Sequence, residues 1–299
     1  MQFGKIPNFE TVDFALPKDH EDNAGILKSS NGKGSIHIGC AKWGREDWVG
    51  KLYPKGTKAT NFLDEYAKHF SSIEMNATHY RVFPQSTIVK WKEKVGDNFK
   101  FCPKFPQFIS HIKRLKDVDR MTDEFLQSTY AFGKTLGPYF LQLHHTFSPR
   151  EISSIENYLA RLPEDIEVFL EVRDPKWFAD QQAFNDLSTM LKEKRVGAVI
   201  TDTSGRRDCA HMRLSTPSTF IRFVGNSLHP TDYDRIDDWV QRIKNWLEQG
   251  IETVWFFMHQ HEELHSPELC AYLVEQLNKH CGTKLEPPKL LSKETTLFD

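Results

Sequence analysis

Residues 122–172 read TDEFLQSTYAFGKTLGPYFLQLHHTFSPREISSIENYLARLPEDIEVFLEV, and helical and strand patterns alternate along them. The spacing predicts a helix from Thr122 to Gly137, closed by the Gly137-Pro138 stop, and a strand over Tyr139–Leu143. A second helix over Pro149–Arg161 and a second strand over Val168–Val172 follow. Strands separated by helices form parallel sheets with right-handed crossovers.

The same alternation extends in both directions from this stretch. We predict eight strands, at residues 36–40, 72–75, 99–102, 139–143, 168–172, 197–201, 220–224 and 253–258. The other predicted helices cover residues 61–70, 84–95, 181–194 and 234–249, with a last one starting at Ser266-Pro267. About eight such units close into a barrel, so the predicted fold is α/β, a (β/α)8 TIM-like barrel forming one domain over residues 35–299. An open doubly wound sheet is the alternative, although no G-x-G-x-x-G follows the first strand.

The first 34 residues differ in composition from the rest of the chain. They are polar, and they end in the linker-like run Ser29-Ser30-Asn31-Gly32-Lys33-Gly34. We therefore predict an N-terminal arm over residues 1–34, either ordered against the barrel or disordered.

Bulk composition excludes several classes of protein. The 299 residues carry a net charge of -2, which does not indicate a nucleic-acid partner, although a local basic groove remains compatible with it. Five cysteines without C-x-x-C spacing argue against a disulfide framework or a cysteine zinc site. The sequence shows no signal-peptide core and no apolar run of membrane-spanning length. We expect a cytoplasmic protein with no membrane association.

Candidate site residues follow from the rule that barrel enzymes place their chemistry at the carboxyl ends of the strands. Carboxylates converging there can act as general acid and general base, and the predicted catalytic residues are Glu74, Glu171 and Asp202. Lys104 and Arg173 could bind an anion such as phosphate or a carboxylate. The remaining predicted substrate-binding residues are Lys42, Trp43, Asn76, Tyr80 and Gln142. The alternative is structural: a salt-bridge network around Arg173 that stabilises the end of the barrel.

Aromatic and histidine side chains add two weaker signals. Trp43, Tyr80 and other aromatics near predicted loops could line a pocket for a ring-shaped ligand or anchor the loops. His261-Glu262-Glu263-Leu264-His265 matches the H-E-x-x-H zinc motif, but we place it in a loop, where its histidines would not share a helical face. A loop metal site using His259, His261 and His265 stays open as an alternative, and we predict no metal and no cofactor.

Several ordered motifs resemble those of the YecE-like family, also known as domain of unknown function 72. Ile38–Trp43 resembles its GTSGW opening, Glu74–Tyr80 its E-x-N-x-T/S-F-Y motif, and Glu171–Trp177 its EFRHPSW motif. Phe101–Lys104, Phe108–His111 and Thr201–Thr203 are similar to further motifs of the family. The resemblance implies a (β/α)8-like barrel but no established reaction, cofactor or substrate.

The chain departs from the family pattern on one side of the predicted site. The RLHG motif of the family is Arg222-Phe223-Val224-Gly225 here, and its asparagine pair after strand eight is replaced by Met258-His259-Gln260. The LPPSF loop reads Leu143–Phe147, with His144 and His145 inside it. These changes indicate a difference from relatives, either in substrate or in catalytic competence.

The favoured hypothesis is a cofactor-independent enzyme of the hydrolase or isomerase class that acts on a small polar or anionic molecule. In it, Glu171 or Glu74 transfers the proton, Asp202 is the partner carboxylate, and Lys104 and Arg173 hold the anion. A non-catalytic binding module for a nucleic-acid end, a sugar or a metabolite is the first alternative. A metal-dependent barrel enzyme is the second.

Overall fold

Eight parallel strands form the centre of the protein. The computed structural model describes residues 3–28 and 34–291. The strands are β1 (Ser35–Cys40), β2 (Ser72–Met75), β3 (Lys100–Pro103), β4 (Tyr139–Gln142), β5 (Val168–Glu171), β6 (Gly197–Asp202), β7 (Ser218–Gly225) and β8 (Thr253–Gln260). They follow the order β3-β2-β1-β8-β7-β6-β5-β4. Backbone bridges from Phe101 to Leu136 and from Lys104 to Phe140 connect the two edge strands. The predicted (β/α)8 barrel is therefore confirmed, with a narrow seam between β3 and β4.

Helices follow the strands and cover the outside of the barrel. The α-helices are α1 (Asn23–Lys28), α2 (Phe62–Tyr66), α3 (Ala77–Tyr80), α4 (Gln85–Lys92), α5 (Asp119–Thr129), α6 (Ile152–Leu159), α7 (Lys176–Ala179), α8 (Gln181–Glu193), α9 (Pro230–Gln249) and α10 (Ser266–Cys281). A π-helical turn at Phe108–Ile112 interrupts the loop after β3. No helix in the described ranges is both long and apolar enough to cross a bilayer.

Several predicted helices are wrong in their bounds: those over 61–70 and 84–95 are shorter, as Phe62–Tyr66 and Gln85–Lys92, and two others differ for reasons that the structure shows. The helix predicted over 122–137 ends as an α-helix at Thr129 and continues as a 3-10 segment, Tyr130–Thr135, because Gly133 has a φ of 54°. The helix predicted from residue 234 begins at Pro230, where proline suits the first turn. The His229 side chain caps it by accepting a hydrogen bond from the Thr231 backbone N–H.

The barrel interior is filled by a layer of large side chains. This layer consists of Cys102, Phe140, Phe169, Val199, Phe220, Trp255 and Phe257. The rings of Phe140 and Phe257 lie 5.3 Å and 4.6 Å from that of Phe220. Because side chains alternate between the two faces of a strand, the residues two positions further along these strands also point inward. The strand period therefore identifies the polar side chains that lie next to this apolar layer, on its carboxyl-terminal side. We call the apolar layer the floor of the barrel.

Residues 3–14 pack against the carboxyl-terminal end of the barrel, which we call the mouth, whereas residues 19–28 pack along α9 and the segment before β7. Gly205 donates a backbone hydrogen bond to Gly4 (2.8 Å), and Arg242 forms an ion pair with Asp19 (2.6 Å). Arg213 pairs with Asp22 (2.8 Å). The predicted arm is thus in contact with the domain over the described part, whereas most of its predicted linker, residues 29–33, lies outside the described residues.

Candidate functional site

A layer of polar side chains covers the apolar floor of the barrel at the mouth. Each of six side chains follows an interior residue by two positions, as Arg222 follows Phe220 and Lys104 follows Cys102. Glu74 joins them from β2. We call this set the polar layer: Glu74, Lys104, Gln142, Glu171, Thr201, Arg222 and His259, all buried.

Arg222 is the centre of the polar layer. Its guanidinium donates two hydrogen bonds to Glu74 (2.8 and 2.9 Å) and a third to Glu171 (2.9 Å). Although burial favours the uncharged acid, Arg222 and His259 hold the pKa of Glu74 well below its usual range. The arginine pKa is raised despite burial, because Glu171 and Glu74 both stabilise its charge. The three groups are therefore ionised together.

Two further side chains fix Glu74. The His259 ring contacts one carboxylate oxygen (3.0 Å), and Asn76 donates to the other (2.7 Å). Burial disfavours a charged imidazole, but Glu74 outweighs it and raises the pKa of His259. Glu74 thus accepts hydrogen bonds from three residues and has no exposed surface.

Glu171 links Arg222 to a second arginine. Arg173 donates through Nε to Glu171 (2.6 Å), and Thr201 donates to the same oxygen (3.2 Å). Despite burial, Arg173 and Arg222 lower the pKa of Glu171. The structure gives the terminal nitrogens of Arg173 no acceptor among the described residues.

Lys104 is the cation of the polar layer without a carboxylate partner. Its ammonium donates to the Gln142 side-chain oxygen (2.9 Å) and lies 5.2 Å from the centre of the Phe140 ring. The side chain is 7% exposed. Burial, and then the charge of Arg222, lower the pKa of Lys104 to about 7. Near neutral pH this lysine therefore exists in both protonation states.

Three histidines lie in a row beside Lys104. The ring of His111 lies 4.9 Å from that of His79 and 5.4 Å from that of His144. Burial and the charge of Lys104 lower the pKa of His79 to about 4, and burial and His79 lower that of His111 to about 3. Both rings are neutral at physiological pH, so they add no charge to the mouth.

An apolar pocket of about 470 Å³ opens beside the polar layer, at the ends of β1 and β2. Its walls include four of the predicted binding residues, Lys42, Trp43, Asn76 and Tyr80. Trp43 is held edge-on against Trp91 (5.4 Å), whereas the Tyr80 ring is 72% exposed. A volume of this size is typical of sites for small organic molecules.

Asp202 lies apart from the other predicted site residues. It accepts a hydrogen bond from the Trp239 indole (2.8 Å) and pairs with Arg235 (2.9 Å) and Arg207. Burial would raise its pKa, but Arg235 and Arg207 lower it. Since Thr201 faces the barrel interior, the next residue must face the helices. The predicted grouping of Asp202 with Glu74 and Glu171 is therefore wrong in its geometry.

Arg222 and His259 are central to the site but were not among the predicted catalytic or substrate-binding residues. Their signal is the strand period: each stands two positions after an inward-facing phenylalanine. The H-E-x-x-H motif lies outside any α-helix, since Glu263–His265 form a 3-10 turn. Within the described ranges, no group of three or more His, Cys, Asp or Glu side chains could hold a metal ion.

Comparison with known proteins identifies the family. The family model for "Protein of unknown function DUF72" matches residues 37–292. The chain belongs to the DUF72 family. The DUF72 relative UPF0759 protein YecE of Escherichia coli K12 is 30% identical over 262 residues, 82% of this chain and 93% of its own. UPF0759 protein YunF of Bacillus subtilis is 26% identical over 202 residues, 64% of this chain and 71% of its own.

A solved DUF72 structure has the same fold. The crystal structure of a DUF72 family protein from Enterococcus faecalis V583 superposes with a TM-score of 0.68 at 17% sequence identity, covering 87% of this chain and all of that one. All residues of the polar layer fall inside the region that the DUF72 model matches. Residues 3–28 precede it.

Proposed function

We propose that this DUF72 protein is an enzyme of the hydrolase or isomerase class that binds a small anionic molecule at the mouth and transfers a proton through Lys104. The observation that carries the proposal is the environment of Lys104. A buried lysine with one neutral acceptor and a pKa of about 7 can both release and accept a proton at neutral pH.

The charges of the site support an anionic substrate. Lys104, Arg173 and Arg222 bring three cations together, whereas Glu74 and Glu171 supply two anions. The two carboxylates are already bonded to Arg222 and Arg173. Donor groups of Lys104 and Arg173 remain available, because Lys104 uses one N–H and Arg173 uses only Nε among the described residues. A phosphate or carboxylate is the complement of such donors.

The pocket supports a substrate with an apolar body. Trp43 and Tyr80 provide flat surfaces, and Lys42 and Asn76 provide polar groups at its edge. Glu74, a member of the polar layer, also belongs to the pocket wall, so the pocket adjoins the layer that contains Lys104. We place the anionic end of the substrate at Lys104 and its body in the pocket.

This proposal changes the roles predicted for the two glutamates. Each carboxylate is buried, ionised and bonded to arginine, so accepting a proton would break a charge-assisted hydrogen bond. We therefore assign Glu74 and Glu171 to holding Arg222 and Arg173, and we assign proton transfer to Lys104. Asp202 has no part in the proposed chemistry.

A deuterium-exchange screen tests the proposal. Small phosphorylated and carboxylated compounds are incubated with the protein in D2O and followed by NMR for exchange of carbon-bound protons and for hydrolysis. We expect at least one compound to react, and we expect Lys104→Met to abolish the reaction. Lys68→Met is the matched control, because that lysine pairs with Glu65 on the surface. Reaction at the wild-type rate in Lys104→Met would contradict the role of Lys104, and binding without turnover would favour the non-catalytic module.

A further inference from the structure

The segment at residues 3–14 forms one wall of the mouth. The centre of the Phe3 ring lies 3.9 Å from the guanidinium carbon of Arg173, and Arg206 lies 5.5 Å from the same ring. Thr203 donates a hydrogen bond to the Phe3 carbonyl (3.2 Å). The family model begins at residue 37, so this wall is built from residues outside the matched region.

Two glycines allow the segment to dock at this place. Gly4 has a φ of +70°, and a Cβ there would lie 2.4 Å from the Thr203 side chain. A Cβ on Gly205 would lie 2.7 Å from Ile6 and 2.8 Å from the Gly4 carbonyl oxygen. Both partners therefore need glycine for the close approach that positions Phe3.

We propose that Phe3 is a specificity-determining residue of the anion site. Its ring covers one face of the Arg173 guanidinium, so we expect the site to favour anions small enough to bind at the remaining edge. The inference rests on the proposed function, because it takes Arg173 as a ligand-binding group. The Nε of Arg173 is bonded to Glu171, so the edge that no described residue covers consists of the terminal nitrogens.

Labelling of Arg173 with phenylglyoxal, followed by peptide mass spectrometry, tests this inference. We expect Phe3→Ala to increase the labelling rate of Arg173 about fivefold, as expected when a cation–π cover is lost. Phe3→Tyr should retain the wild-type rate. Phe9→Ala is the matched control from the same segment, since Phe9 contacts His229 instead. A wild-type rate in Phe3→Ala would overturn the inference.

Two further measurements separate the possible outcomes. Labelling of the buried Arg222 reports loss of structure. If Phe3→Ala also makes Arg222 reactive, the variant has disturbed the fold, and Gly205→Ala replaces it as the test. Gly205→Ala displaces the segment from the barrel side of the contact and must speed the labelling of Arg173 without that of Arg222. Inorganic phosphate should slow Arg173 labelling in the wild type more than tripolyphosphate does, and Phe3→Ala should remove that difference. Equal protection by both anions in the wild type would overturn size selection. Faster labelling in Phe3→Ala, with no protection by either anion, would support the cover and reject the proposed anion site.

Discussion

Arg222 allows two buried glutamates to remain charged. It supplies three hydrogen bonds to Glu74 and Glu171. Among the described residues, no other cation is hydrogen-bonded to both carboxylates. Buried ion pairs of this kind contribute little net stability compared with an apolar core, but removing one partner leaves an uncompensated charge. The cost of a substitution should therefore depend on which member is removed.

Arg222→Leu should lower the free energy of unfolding by about 3–5 kcal/mol, because it removes the arginine that is bonded to both buried glutamates. Urea denaturation measures the change. Arg120→Leu is the control, since its pair with Glu124 is exposed and should have little effect. A wild-type free energy of unfolding in Arg222→Leu would show that the glutamates are not ionised in the folded protein.

Lys104→Met should make the protein more stable at pH 6, by an amount on the order of 5 kcal/mol. The pKa of Lys104 is lowered from 10.5 to about 7 in the folded state. Below pH 7 both states are protonated, and the wild type bears the full cost of the buried charge. Between pH 7 and 10.5 only the unfolded chain retains the proton, so wild-type stability rises with pH. The advantage of the variant should therefore shrink across that range in urea titrations, and an advantage independent of pH would contradict the lowered pKa.

At the residue scale, the sequence predicted most of the site but not its centre. The rule that active sites occupy strand ends found Glu74, Lys104, Gln142, Glu171 and Arg173. It could not distinguish Asp202 from Thr201, because that distinction depends on which face of β6 points inward. Nor could it indicate the lowered pKa of Lys104, which arises from burial and from Arg222, more than 100 positions away along the chain.

At the scale of elements, β1 and β2 approach each other more closely than a side chain permits. Gly39 is paired with Ser72, and a Cβ on Gly39 would lie 2.1 Å from the Ser72 carbonyl oxygen. The barrel therefore depends on a glycine at this position in β1. Glycine is needed here because the backbones of the two strands lie so close together, and not because the residue has a positive φ.

Gly39→Ala should lower the free energy of unfolding by about 3 kcal/mol, because the two strands must move apart. Thermal or urea denaturation measures the loss. Gly96→Ala provides the control, since a Cβ on Gly96 would meet nothing within 4 Å. Equal stabilities of the two variants would contradict the close approach of β1 and β2.

Strands were easier to predict than helices. Predicted and observed strands agree to within two residues at each end, because short apolar runs bounded by Gly, Pro and polar residues mark them clearly. Helix bounds depended on features that do not change the apolar periodicity, such as the positive φ of Gly133 and the cap formed by His229. The docking of residues 3–28 could not be predicted, because it relies on contacts with residues about 200 positions away.

At the scale of the whole molecule, buried neutral histidines and ionised carboxylates both make the fold sensitive to acid. The pKa of His79 is about 4 and that of His111 about 3, so an unfolded chain binds protons below pH 6.5 that the folded protein does not. The lowered pKa values of Glu74, Glu171 and Asp202 act in the same direction at lower pH.

Stability should therefore fall as the pH decreases from 6.5 to 4, and His79→Gln with His111→Gln should make this fall shallower. Thermal unfolding temperatures at several pH values measure the slope, since each proton taken up only on unfolding increases it. His280→Gln is the control, because this histidine lies at the end of α10, away from the mouth. The same slope in the double variant and the wild type would contradict the burial of neutral imidazoles.

The measurement that tests the central claim most directly is an NMR titration of the Lys104 side chain, with and without inorganic phosphate, assigned by comparison with Lys104→Arg. We predict a pKa near 7 in the free protein, and an increase when phosphate binds because the anion stabilises the ammonium. A pKa near the ordinary value of 10.5 that phosphate does not change would contradict both the proton-transfer role of Lys104 and the anion site at the mouth.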